Sequence, residues 1–496
     1  MKKILLMIGI VSKAKDFKIT IGRNDLIFLI GIVLFCIFQF FIFLALPHPA
    51  PTWDALQYIG ISQRPLMEIL NNDTTNIPWA VPRPELYPII LKLIYSSKYH
   101  LQFLFLQFLV LLGCEVLTVS IIYNSYAKKV GAVSLAFAAI MAIYLLSPMI
   151  VVWPILVYTE AFSIAILIAL FAYSVRDFRK IEVWVVVSSL TALSLLKYVG
   201  VYSAVIIIGL LAVIYSILEW KMFVGRLKAL VRGRVAAAGG WRTVVILICL
   251  ILLVNTWWLQ EKRHGAGVNI GVVIQMRLLK NPDAINFLHA RGMPISPSVM
   301  QLSGIPGDNY ATEDRRAFTK WFYANGMSAY LNYMLTHPGY VWDVFFKNRS
   351  GLEKNAPITH RDFSIPNILN TRYDTGYSMD KVCIGGVLHN MLTTPLTFLV
   401  YIFLYSVAVV SIVVGLFFKH RVDMHHVFMV STLPFMMIAV IGDAWDVWRH
   451  VLPSLIMSYM YALVLAFTLI AKALTGEGPR LYYRHPFKRG LHSTQS

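Results

Sequence analysis

The sequence predicts an all-α, multi-pass membrane protein of about ten transmembrane helices, with a helical loop region on the non-cytoplasmic side. Three observations carry this. Of 496 residues, 58% are hydrophobic and only 14% charged, whereas soluble domains are about half apolar and about a quarter charged. The apolar excess falls in long uncharged blocks. The lysines and arginines behind the net charge of +19 gather between those blocks. In a soluble chain that charge would suggest nucleic acid; here membrane topology and anionic lipid account for it, and no nucleic-acid partner is expected.

A helix needs roughly 20 apolar residues to cross a bilayer core. Blocks of about that size run over Leu26–Leu46, Leu101–Tyr123, Gly131–Val151, Pro154–Val175 and Glu182–Leu196. They continue over Gly200–Leu218, Thr243–Trp258, Leu396–Phe418, Val427–Ile441 and Val451–Leu474. Counted this way, the N-tail, Lys128–Lys129, Arg176–Lys180, Lys221–Arg242, Lys419–Arg421 and the Arg480–Arg489 tail share one side. Positive loops mark that side as cytoplasmic. Trp53, Trp153, Trp184, Trp220, Trp241, Trp257, Trp445 and Trp448 fall near the block ends, where an aromatic belt places them.

The expected organisation follows. Residues 1–25 form a cytoplasmic N-tail, with Ile4–Val11 followed by Lys13, Lys15 and Lys18 and no small-residue cleavage pattern. Residues 26–258 form a transmembrane module whose first non-cytoplasmic loop is 47–100. Residues 259–395 form a large non-cytoplasmic loop region, 396–474 the last transmembrane helices, and 475–496 a basic cytoplasmic tail. Within the large loop, Phe318, Trp321, Phe322, Met327, Tyr330, Leu331 and Met334 recur at helical spacing, which reads as short helices on or near the membrane. Cys36, Cys114 and Cys249 fall inside apolar blocks and Cys383 in a loop; none has CxxC spacing. No HExxH or Cys–His spacing occurs among the thirteen histidines, so the sequence indicates no zinc site and no required cofactor.

The residues with chemistry collect at the expected outer face. Asp54 follows the first block directly, at headgroup depth. A carboxylate there can accept a proton from an acceptor while a lipid-linked donor stays in the membrane; a solvated interfacial aspartate is the plain alternative. Tyr58 is one helical turn on and shares its face. Arg83, Glu85 and Tyr87 come together in Arg83-Pro-Glu-Leu-Tyr-Pro88. A planar guanidinium suits a phosphate oxygen pair, and Arg83 also reads as a surface partner for Glu85. Glu160 is expected inside the fourth block, about two turns from its outer end. An intramembrane carboxylate is costly and is paired or functional; Lys197 is a candidate partner. Glu115, deep in the second block, reads as a paired or protonated structural group. Asp443, Asp446, Arg449 and His450 cluster at the outer ends of the last two blocks. Arg449 at headgroup depth can hold a lipid phosphate or anchor its helix against Asp446 or Asp443. A basic run, Lys347, Arg349, Lys354, His360 and Arg361, reads mostly as a solvated face.

Taken in order, several of these pieces resemble the GT-C superfamily of integral-membrane glycosyltransferases, and within it the branch of protein O-mannosyltransferases and lipid A aminoarabinose transferases. They are Asp54-x-x-x-Tyr58, Arg83-Pro-x-Leu-Tyr-Pro88, Thr159-Glu160, His337-Pro338 and Arg449-His450-x-x-Pro453. The resemblance implies a polyprenyl-phosphate sugar donor and a glycan, lipid or protein acceptor. It also implies a multi-pass enzyme of the bacterial inner membrane with its active site facing the periplasm. Carried over, Asp54 is the catalytic base and Arg449, with His450 beside it, a ligand for the lipid phosphate. Arg83, Tyr87 and Lys197 belong to the donor site, and Glu160 supports the active site. The chain departs from the family in two places. Ala55 follows Asp54 where two adjacent acidic residues are common, and His450 follows Arg449 where tyrosine is common. Three other classes compete: a lipid-linked glycan ligase or polymerase of another fold, a membrane transporter, and a non-catalytic scaffold that keeps the fold. The transporter would show Gly/Pro-broken helix pairs in two matching halves, which the sequence lacks.

Overall fold

The computed structural model describes residues 23–45, 53–70, 86–95, 100–123, 150, 154, 159–174, 183–196, 199–218, 248–255, 265–304, 312–346, 397–419, 422–442 and 447–475. Among them the chain is helical, with no β-strand. Its main helices are α1 (Arg23–Ala45), α2 (Trp53–Ser62), α3 (Leu66–Leu70), α4 (Leu86–Ile94), α5 (His100–Ile122), α6 (Glu160–Ser174), α7 (Val183–Leu196) and α8 (Val199–Leu218). There follow α9 (Gly265–Arg277), α10 (Pro282–His289), α11 (Pro297–Met300), α12 (Glu313–Trp321), α13 (Met327–Thr336) and α14 (Pro338–Phe346). The last three are α15 (Thr397–Val414), α16 (Met424–Gly442) and α17 (Val447–Thr475).

Among the described residues, three helices are long and apolar enough to cross a membrane: Asp25–Ala45, His100–Ile121 and Leu399–Phe418. Shorter apolar helices occupy Glu160–Ser174, Trp184–Leu196, Ala204–Ile214, Met424–Val440 and Pro453–Ala466. The block Gly131–Val151 falls outside the described residues except for Ile150, and Thr243–Trp258 is described only over 248–255. Without water to bond the backbone, an apolar block must satisfy its N–H and C=O groups internally, and the helix does so. The outward faces of α1 and α15 are apolar: Ile30, Leu34 and Phe41 on one and Leu399, Phe403 and Val410 on the other are exposed. Such faces suit hydrocarbon.

α1 and α5 pack antiparallel. At one end the Tyr123 hydroxyl donates to Asp25 Oδ1 at 3.1 Å, and Phe28 stacks on Tyr123 with ring centroids 3.8 Å apart. Toward the other end Phe43 stacks on Phe108 at 4.8 Å. α5 and α6 pack closely, as do α16 and α17. The last pair is an antiparallel hairpin: Ser454 Oγ donates to the Thr432 carbonyl at 3.1 Å, and six residues before Thr432 the His426 ring meets Tyr461.

The large loop builds its own core. α9 to α13 bury Ile274, Leu288, Val299, Phe318, Phe322 and Tyr330 together. The helical spacing noted in the sequence is therefore satisfied largely within this unit: Phe318, Trp321, Phe322 and Tyr330 are buried, while Leu331 stays exposed. Its helices start on capping side chains. Asn281, Ser296 and Thr312 accept from the backbone N–H of Asp283, Val299 and Arg315, the role for which short polar residues are preferred. Gly271 permits a close approach of ring to helix, since a Cβ there would stand 2.8 Å from the Phe322 ring. The unit meets the main bundle where Arg277 Nη1 donates to the Val440 carbonyl at 2.7 Å, and where Phe345 of α14 enters the large core.

Candidate functional site

α2 starts at Trp53, so Asp54 is its second residue. Its position and that of Tyr58 are one turn apart on the same helix face. Tyr58 is buried and meets Tyr87 edge to face, with centroids 5.0 Å apart and planes at 86°. Tyr87 stands in the first turn of α4, just after the Arg83-Pro-Glu85 segment, and is completely buried. Its ring also meets Phe103 of α5 at 6.3 Å and Phe162 of α6 at 6.1 Å, both in tilted edge geometry. Its hydroxyl donates to Gln107 Oε1 at 3.0 Å, and Gln107 Nε2 donates onward to the Pro154 carbonyl at 3.3 Å. One phenol thus joins α2, α4, α5 and α6. The tyrosine supplies apolar surface and one polar atom, and that atom finds a buried partner.

Glu160 is buried, and the Thr159 hydroxyl donates to its Oε2 at 3.3 Å. Sequence reading places it two turns inside its helix; in the structure α6 begins at Glu160 itself. Thr159 precedes the helix, and its carbonyl accepts from Ser163 N at 3.0 Å. A carboxylate in the first turn interacts favourably with the helix dipole, so the position costs less than one in mid-helix. α17, which carries Arg449 and His450 in its first turn, packs on α6 and α16.

The structure therefore brings Tyr58, Tyr87 and the start of α6 together, with Asp54 one turn before Tyr58. For Asp54, Arg449 and His450 it describes helix position. Arg83, Glu85, Lys197, Asp443 and Asp446 fall outside the described residues, as does the basic run from Lys347 to Arg361.

Three polar groups escaped the sequence reading as parts of this end of the molecule. Gln107 is one. Gln39 is the second: its Nε2 donates to Glu115 Oε2 at 3.1 Å, which pairs Glu115 as the sequence suggested. Glu115 Oε1 has no partner among the described residues. A cavity of about 10 Å³, lined by both side chains and Pro154, adjoins them and is of the order of one water. An isolated glutamine in an apolar block was the available signal in both cases. The third is Arg277, half-buried beside Tyr330 and Tyr340. Burial pushes the Tyr330 phenol well above its usual range, Tyr340 adds to this, and the Arg277 cation opposes it. Arg277 reaches α16 two residues before its C-terminal end.

Comparison of the chain with protein families, characterised proteins and solved structures finds no match. The functional reading rests on the residues themselves.

Proposed function

We propose that this chain is a ten-span, GT-C-like membrane glycosyltransferase that moves a sugar from a polyprenyl-phosphate donor to an acceptor on the non-cytoplasmic face of the membrane. The observation that supports it best is the junction at Tyr87. The helix that starts with Trp53-Asp54, the helix that follows Arg83, and the helix that starts at Glu160 all meet there. Two carboxylate-bearing helix starts thus share one corner of the bundle with the helix that follows Arg83 in sequence, and the helix carrying Arg449 packs on one of them.

The chemistry is a single inverting displacement. The acceptor oxygen attacks the anomeric carbon and gives its proton to the Asp54 carboxylate, which is general base catalysis. The bond from the anomeric carbon to the phosphate oxygen breaks, and its electron pair leaves on the lipid monophosphate. Arg449, aided by Arg83 or Lys197 and with His450 adjacent, stabilises that negative charge as it develops. Tyr58 and Tyr87 hold the base's helix in place, while Glu160, Asp443 and Asp446 orient the cations. The acceptor is a glycan, lipid or protein, and the membrane is a bacterial inner membrane with the site facing the periplasm.

The test uses the full chain in proteoliposomes with a panel of polyprenyl-phosphate sugars and acceptors from envelope extracts. Asp54→Asn keeps size and removes the base, and a loss of about 10²–10⁴-fold is expected at equal expression. Arg449→Ala should abolish donor retention and Arg449→Lys restore part of it, because lysine keeps the charge without the planar fork. Near wild-type transfer by Asp54→Asn removes the base assignment; no transfer from any donor by the wild-type chain removes the reaction class.

A further inference from the structure

At the start of α16, Asp423, His425 and His426 each offer one ligand atom, and these atoms lie within 4.8 Å of one another. Three residues of ligand type in four positions form a compact donor set. His425 is buried, and its Nδ1 finds no hydrogen-bond partner among the described residues. The two imidazole rings stand 4.2 Å apart between centroids. The hydroxyl of Tyr461, on α17, lies 2.9 Å from His426 Nδ1. With Nδ1 protonated, that bond fixes the ring and leaves the lone pair on Nε2, the arrangement in which a metal-ligating histidine is held by a second partner.

We infer that Asp423, His425 and His426 form a binding site for a divalent transition-metal ion, with zinc as the best fit. Two neutral imidazole nitrogens and one carboxylate oxygen are ligands zinc accepts, at about 2.0–2.2 Å each. The hard cations magnesium and calcium prefer sets made of oxygen alone. Ligands on one ion at those bond lengths stand about 3–4 Å apart, so small side-chain rotations close the present spread. Ligation also gives the orphaned His425 nitrogen a partner.

The place of the site suggests its role. It lies at the N-terminal end of α16, next to the small cluster of Ile214, Val422 and Val427 that joins α8 to α16. An ion there would pin the first turn of α16, while Tyr461 ties that turn to α17. This role is structural and does not depend on glycosyl transfer.

The experiment takes the full chain, purified through an affinity tag without histidines and stripped with chelator. It is incubated with Zn²⁺ alone and desalted, and zinc is measured by elemental mass spectrometry. About one ion per chain is expected for wild type, lost in the His425→Gln/His426→Gln double variant and kept in His337→Gln, a control outside the site. Zinc should also raise the melting temperature of wild type and leave the double variant unmoved. Asp423→Asn, at a half-exposed position, keeps the test open where the histidine variants do not fold; at least about tenfold weaker zinc binding is expected. Equal zinc in wild type and the double variant, or undiminished binding by a folded Asp423→Asn chain, overturns the site.

Discussion

Replacing Tyr87 tests whether one side chain joins the corner where the candidate site is built. In Tyr87→Phe the ring and its three edge contacts persist, but Gln107 Oε1 loses the hydroxyl that donates to it at 3.0 Å. Gln107 is fully buried, and losing this hydrogen bond costs about 0.5–1.5 kcal/mol. Tyr87→Ala also leaves a ring-sized hole among Tyr58, Phe103 and Phe162; an aromatic-to-alanine change in a core costs about 3–5 kcal/mol. The Tyr58–Tyr87 pair, at 5.0 Å and 86°, has edge-to-face geometry, worth about 0.5–1.5 kcal/mol beyond area burial. The assay is thermal unfolding of the full chain in detergent, followed by intrinsic fluorescence. Stability should fall in the order wild type, Tyr87→Phe, Tyr87→Ala, and a double-mutant cycle through Tyr58→Ala should return that coupling energy. A Tyr87→Ala chain that melts with wild type, or a cycle that closes at zero, would refute the junction and with it the placement of Asp54 by its own helix face.

Three further outcomes are expected. Gly271→Val should destabilise the loop unit by about 1–3 kcal/mol through overpacking, because its Cβ would stand 2.8 Å from the Phe322 ring; adding Phe322→Leu should recover part of the melting temperature, and no recovery would point away from that contact. Arg277→Ala removes a charged donor from the Val440 carbonyl, a bond worth about 1.5–3 kcal/mol, and should expose the 265–346 unit to faster limited proteolysis; an unchanged digestion pattern would show that the unit docks without it. Since burial raises the Tyr330 phenol, the folded chain holds that proton more tightly than the unfolded chain, so its contribution is whole below about pH 10 and declines as pH rises past that value. Tyr330→Phe should therefore flatten the alkaline loss of stability in a pH-resolved melting series, and an unaltered slope would contradict the assignment.

Apolar blocks told from the sequence alone where helices run: α1, α5 and α15 lie where unbroken hydrophobic stretches of spanning length occur, because a chain in hydrocarbon has little choice but the helix. Local spacing was equally legible. Tyr58 sits one turn past Asp54, and the amphipathic pattern after Arg315 became α12 and α13, since 3.6-residue periodicity acts over a few residues. Partners were another matter. Gln39 meets Glu115 across 76 positions, and Arg277 meets the Val440 carbonyl across 163. A hydrophobic run records how a segment meets lipid or core and nothing about which neighbour it meets. The start of α6 shows the same limit at short range: the apolar run extends back to Pro154, but the helix begins at Glu160, whose carboxylate accepts from the Thr159 hydroxyl and is favoured in the first turn by the helix dipole. Asp423, His425 and His426 were visible as letters before an apolar block. Only the packing of α16 on α17, which buries His425 and sets Tyr461 against His426, turned that spacing into a candidate metal site, because ligand geometry is a property of folded neighbours.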